Sequence, residues 1–311
     1  MYLHTASITQ PEAIAIWAYC RPYVNNQLVM YALPVIHQLL AIICRGDCNV
    51  DVNLHVVRFS SSLSVLAFVL SIVTSSSQPT ASPGSLQRAR LFRHHSTIAW
   101  SCSSPEVQAF VYRTGLAVDA DGAYRAYHPN NRLGLDSIEH AGHPGDWWAL
   151  ATNTGNPNGR PVIQTKDDPA PGYYVSMTSL YDSSIESERN PRRFVDAANV
   201  PYVVLPPEGF RHAKLGDFAT VMNLENGKVV GGIIADESAP ELAMGEGSIA
   251  LAKMLGIDSN PRTGGTDRDV VYVIYPASGN GKPRPFDEIA TASRAYFNKW
   301  GGLPKLNSCL R

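Results

Sequence analysis

At 311 residues, 44% apolar and 17% charged, the chain has enough hydrophobic material for one large globular domain or two small ones, and too little charge for a disordered tail. A formal net charge of −1 supplies neither the basic stripe that nucleic acid needs nor the polybasic patch of a membrane-surface protein, so no nucleic-acid partner and no stable membrane association are expected.

The first hundred residues differ in composition from the rest. Leu28–Ile43 is apolar but is interrupted by Pro34, His37 and Gln38, and it is too short for a membrane span. Leu63–Val73 is an eleven-residue apolar run with Arg58 before it and TSSSQPTASPGS after it, the anatomy of a secretory signal. Its distance from Met1 fits a true start near Val57, which makes residues 1–76 a leader removed on export to the extracellular space. A tail anchored by two short hydrophobic segments is the alternative. Residues 77–100 read as a linker, Pro/Ser-rich over Gln78–Ser85, and residues 101–311 as the folded body. Cys20, Cys44 and Cys48 fall in the leader. Cys102 and Cys309 remain, either as a disulfide closing an exported domain or as two unpaired thiols at its ends.

From Glu106 onward short β-type runs alternate with turn signals: FVYRTGLAV, RAYH, PVIQT, GYYVSMTSL, YVVLP, FATVMN, VVGGIIA and VVYVIYP. Helical patterns cover Ser248–Leu255 and Asp287–Lys299, with a weaker one at Phe194–Ala198. Without regular βα alternation a TIM barrel or Rossmann sheet is excluded. The expected fold is mainly β, a small closed, mainly antiparallel barrel with inserted loops and two short helices. The strand–Gly-Asp–strand element Leu215–Phe218 gives it a double-psi-like character.

The densest chemical signal runs from Leu215 to Leu255. Phe218–Asn223 and Val229–Ala235 form a hairpin around Glu225-Asn226-Gly227, which delivers Asp236 to a strand end. A Gly-containing loop then brings Glu246 to a helix start, where Ser248 is placed as the N-cap. Two carboxylates on rigid elements across a loop are what acid/base cleavage of a glycosidic bond requires, although such residues equally serve as solvated or capping groups. Nine histidines lack HExxH or His-x-His spacing, so no catalytic metal is expected. G-x-S-x-G, P-loop and G-x-G-x-x-G patterns are absent, and with them serine hydrolase, NTPase and dinucleotide chemistry.

The blocks Asp168–Leu180, Asn190–Pro206, Lys214–Val221, Ala235–Ala252 and Gly256–Gly265 follow one another in this order, preceded by Val111–Pro129 and Gly145–Leu150. Together they resemble the glycoside hydrolase family 75 chitosanases, and look most like the bacterial-type branch. The loop ESAPELAMG is shorter than the Gly/Asn-rich loop of fungal members. The resemblance implies the six-stranded barrel, Asp236 and Glu246 as the essential pair, an inverting reaction on the β-1,4-glucosamine chain of chitosan, and no cofactor. Asp236 is expected as base and Glu246 as acid. For substrate binding, Asp119 and Asp121 read either as a surface Asx-turn or as a subsite for an ammonium group, and Trp147 as a sugar-stacking platform or a core residue. Tyr174 is the other expected contact, chosen from a Tyr173-Tyr174 pair whose members point to opposite faces. The expected protein is a monomeric, endo-acting, extracellular hydrolase whose partner is the polysaccharide. Alternatives are a hydrolase of another amino-sugar polymer and an expansin-like barrel that binds polysaccharide without cutting it.

Overall fold

The β-branched and aromatic runs become strands because each buries alternate side chains on two sides of one curved sheet. The computed structural model describes residues 89–311. In chain order its strands are β1 (Arg90–His94), β2 (Thr97–Ser101), β3 (Phe110–Asp119), β4 (Gly142–His143), β5 (Asp146–Trp147), β6 (Tyr202–Leu205), β7 (Phe218–Asn223), β8 (Val229–Glu237), β9 (Glu246–Ser248) and β10 (Thr266–Ile274). The α-helices are α1 (Ile249–Leu255), α2 (Phe286–Trp300) and α3 (Gly302–Leu310). The leader and the Pro/Ser-rich segment lie outside the described residues.

Hydrogen-bonded neighbours run β3-β10-β7-β8-β6-β9, and β9 pairs back onto β3, so six strands close into a barrel. Four of the six pairings are antiparallel, while β6–β8 and β3–β9 are parallel. This is the closed, mainly antiparallel barrel read from the sequence. Phe110, Tyr112, Val203, Leu205, Tyr272 and Ile274 meet inside it, together with Leu251 and Leu255 of α1. Their chain neighbours Val111, Tyr202, Val204, Val271 and Val273 face outward, packing with α2, α3 and the long segment that follows β3.

The hairpin between β7 and β8 forms as its sequence predicts. Asn223 Oδ1 accepts from the Glu225 N–H, and Gly227 donates to the Asn223 carbonyl. The expected N-cap also forms, since Ser248 Oγ accepts from the Leu251 N–H at 3.1 Å. Helix α2 lies close against β8 because Gly231 has no side chain there. A Cβ at Gly231 would fall 2.6 Å from Ser293 Cβ, whose hydroxyl donates to the Gly232 carbonyl at 3.2 Å. Asp217 does more than order its own turn. Fully buried, it accepts from the backbone of Lys214, Ala277 and Gly279, joining the start of β7 to the loop beyond β10.

Several local expectations are corrected. Residues 90–100, read as linker, form β1 and β2, and β2 extends the sheet from β3. Their mixed charge hid two short strands that need a partner edge to form. Phe194–Ala198 is not helical, because its segment instead makes a bridge to Tyr181 and caps a 3₁₀ turn. RAYH, PVIQT and GYYVSMTSL make at most isolated bridges. Helix α3 was not foreseen.

Cys102 and Cys309 are disulfide-bonded, with Cα atoms 6.1 Å apart across 207 residues. Trp300, at the end of α2, donates its indole N–H to the Cys102 carbonyl at 2.6 Å, so the segment after β2 and the C-terminal helices meet at one buried point. Replacing Cys102 and Cys309 by Ser is expected to lower unfolding free energy by roughly 2–5 kcal/mol, measured by denaturant titration. An unchanged midpoint would contradict this role.

Candidate active site

The site is built around β6. Its sequence, YVVL, is apolar throughout because both faces are covered and both edges are paired. Val204 lies opposite Asp236 in the pairing with β8 and opposite Glu246 in the pairing with β9. Paired residues project to one face, so the two carboxyl groups stand on either side of Val204 on the outer barrel wall. Their backbones lie two strand spacings apart, about 9–10 Å. A register shift between Val203 and Val204 sets this arrangement, since it lets Asp236 share the face of Val204.

Glu246 lies on β9, a short strand that ends at the cap of α1, rather than at a helix start. It is brought against β3, where Ala117 is its partner. The approach needs Gly245, whose φ is +105° and whose Cβ would fall 2.4 Å from Thr114 and 2.6 Å from the Gly115 carbonyl. The N-terminal amides of α1 are spent elsewhere, Ala250 on the Ala197 carbonyl and Leu251 on Ser248 Oγ. They therefore do not favour ionisation of Glu246.

Asp119, two residues beyond Ala117, faces the same way, and Asp121 follows it. Carboxylate oxygens of Asp119, Asp121 and Asp236 lie within 4.8 Å of one another. Tyr202 Oη donates to Asp119 Oδ2 at 2.8 Å, and Tyr127 Oη donates to Asp121 Oδ1 at 2.7 Å. Asp236 Oδ1 accepts from the Ser179 N–H at 3.1 Å, the Ser179 hydroxyl at 2.5 Å and the Glu237 N–H at 2.9 Å. Glu246 accepts no hydrogen bond among the described residues. The three aspartates have the spacing at which carboxylates hold a cation. Their burial, and the phenol donors already on two of them, equally suit shared protons.

Burial dominates the electrostatics. It pushes Asp119 up to about 6, and pushes Asp236 up to about 7 with help from the Asp119 charge. Burial and then the charges of Asp119 and Asp236 hold Glu246 well above the usual range, and burial and the same neighbours do so for Asp121. The Ser179 and Glu237 donors act in the opposite direction on Asp236. Two carboxyls in one site thus differ in kind: Asp236 accepts three hydrogen bonds that favour its anion, and Glu246 accepts none among the described residues.

All four acids line a groove of about 1280 Å³ between the barrel wall and the segment that follows β3. Asp136, Glu139, Glu188, Glu237, Glu241 and Asp267 line it too, with Arg193 and His140 among them. Trp148 (56% exposed) and Tyr181 stand on one rim, and Leu242 on the loop between β8 and β9. That loop is held from outside by the β1–β2 turn: His94 contacts the Leu242 carbonyl at 2.7 Å and Glu208 at 2.9 Å, and His95 contacts the Pro240 carbonyl at 3.0 Å.

The structure therefore brings Asp119, Asp121, Asp236 and Glu246 together and leaves two expected residues out. Trp147 packs against the core, and its neighbour Trp148 takes the groove, fixed by its indole N–H on the His140 carbonyl. Tyr174 also packs on the core and does not line the groove, where Tyr181 stands instead. An adjacent aromatic pair signals that one member faces outward, but not which. Ser179, Tyr202 and Arg193 carried no sequence signal, because their roles depend on partners 57, 83 and more residues away or on the segment's fold.

Raised carboxyl pKa values make native protons more numerous than unfolded ones between about pH 4 and pH 7, so these groups lower stability as pH rises through that window. Asp236→Asn is expected to raise the melting temperature at pH 8 and to leave it near wild type at pH 4. Thermal unfolding across pH checks this, and a gain confined to acid pH would reverse the sign argued here.

Residues 173–300 match the family model of the fungal chitosanases of glycosyl hydrolase group 75. The matched stretch contains Asp236 and Glu246, while β3 with Asp119 and Asp121 precedes it. No curated protein matches the chain. The family match identifies the chain as a glycoside hydrolase of the chitosanase kind, acting on chitosan. It does not bear on the bacterial-type branch.

Proposed function

We propose that this group 75 glycoside hydrolase cuts internal β-1,4-glucosamine linkages of chitosan by single displacement, with Glu246 as general acid and Asp236 as general base. The observation that carries the reading is the pair itself, a buried Asp236 and a half-buried Glu246 flanking Val204 in a groove lined by ten acidic side chains. A glucosamine polymer carries an ammonium group on each unit, and a groove of this sign attracts it while a nearly neutral protein as a whole does not.

In the reaction, Glu246 transfers its proton to the glycosidic oxygen as the bond to the sugar's C1 breaks. Asp236 takes a proton from a water molecule, whose oxygen bonds to C1 from the opposite face, giving inversion. The three donors on Asp236 Oδ1 orient the carboxylate and favour its ionised form, whereas Glu246, without such donors, is kept protonated by burial and by neighbouring negative charge. Solvent exchange restores both groups. Single displacement requires room for that water between the two carboxyl groups, which a covalent intermediate does not. The leader's signal-like run and the Cys102–Cys309 bond support an extracellular place of action, and no interface is needed to complete the site, which suits a monomer.

Asp236→Asn and Glu246→Gln are each expected to lower chitosan hydrolysis by roughly 10²–10⁴-fold with the fold retained. Reducing-end release and the stereochemistry of the product anomer test this. Near wild-type turnover in either variant excludes that residue, and retention at C1 excludes the single displacement. Ser179→Ala removes a donor that holds Asp236 ionised, so the acidic limb of its pH–rate profile is expected to move to higher pH. A limb that stays in place would remove Ser179 from the tuning of the base.

A further inference from the structure

Arg193 is a cation among carboxylates. It lines the groove, is 9% exposed and makes no ion pair among the described residues. Its guanidinium lies 4.0 Å from the centroid of the Tyr181 ring, and one Nη donates to the Ile185 carbonyl. Its Nε is buried without a partner, so most of a five-donor fork is unspent. The backbone places this group beside the reaction centre. Tyr181 is bridged to Phe194, the residue after Arg193, and Ser179, two residues before Tyr181, holds Asp236.

A fixed guanidinium at this point opposes the ammonium group that the rest of the groove attracts. A neutral acetamide meets no such repulsion. Its carbonyl oxygen accepts from the guanidinium fork, and its methyl group is sized for the exposed face of Tyr181, which is 42% exposed. An acidic sugar is disfavoured by the acidic lining of the groove.

We propose that Arg193 and Tyr181 form a subsite that selects an N-acetylglucosamine unit over glucosamine at one fixed position of the bound chain. The proposal rests on the chitosan reading above and makes it more specific: the preferred substrate is partially acetylated, with an acetylated unit at a set distance from the cleaved bond.

The test compares wild type, Arg193→Gln and Arg193→Lys on fully deacetylated chitosan and on chitosan about half acetylated, with product ends sequenced by mass spectrometry. Wild-type products are expected to carry N-acetylglucosamine enriched at one position relative to the cut. In Arg193→Gln the ratio of kcat/KM on acetylated to deacetylated substrate is expected to fall roughly tenfold or more, as a site built to bond one group loses its discrimination. Arg193→Lys keeps the charge but not the planar fork, and the ratio is expected to fall there too. Random placement of acetylated units in wild-type products overturns the proposal without any variant. So does an unchanged ratio, or a parallel loss on both substrates, which is the mark of a structural arginine. If wild type cuts neither chitosan, the chitosan reading itself fails, and that result is distinct from a lost preference.

Discussion

Everything at this site depends on the double pairing of β6. A strand paired on both edges fixes the distance between its neighbours through backbone hydrogen bonds, which are stiff and short in range. Because β8 and β9 meet at the same residue, Val204, their carboxyl-bearing residues Asp236 and Glu246 are held by the barrel wall itself rather than by loops. Closure of β9 onto β3 adds Asp119 to the same face. One register shift beside Val204 decides whether Asp236 faces outward with Glu246 or inward into the barrel, where a carboxylate would have no place.

Concentrating four carboxyls at a buried wall opposes folding whenever they ionise. The opposing forces sit elsewhere: a barrel interior of interlocking aliphatic and aromatic side chains, α2 packed against β8, and a disulfide that joins the two ends of the described body. The acids occupy one stretch of the outer wall, and the packing that offsets them lies inside the barrel and elsewhere on that wall. This separation lets the acids hold raised pKa values while the scaffold stays rigid.

Charge is distributed with equal economy. The chain is close to neutral, yet its groove is lined by ten acidic side chains and the single guanidinium of Arg193. The field that a polycation meets is therefore local, and within it the placement of a guanidinium matters more than its single charge suggests. The loop between β8 and β9 forms one rim and is tied down by His94 and His95 from a hairpin that has no part in the chemistry. A rim held from behind keeps the groove open at a set width.

Much of this was legible in the sequence. Periodicity and turn chemistry gave the β7–β8 hairpin and the Ser248 cap, because each is written within a few neighbouring residues, while the six-stranded barrel and the Asp236–Glu246 pair came from the family resemblance of blocks spread along the chain. Local pattern failed where an outcome depends on what lies across space. RLFRH and TIAWS become strands only because β3 offers an edge, and Phe194–Ala198 stays extended because Tyr181 pairs with it. Of Trp147 and Trp148, composition cannot choose the outward ring, since packing against the core decides it. The sequence alone determined which residue types carry the chemistry and roughly where they lie along the chain. Tertiary structure decided which carboxyl is hydrogen-bonded and which is left to keep a proton, and where the guanidinium stands among them. Those are properties of burial and partner geometry, and they arise only when residues distant in the chain share one wall.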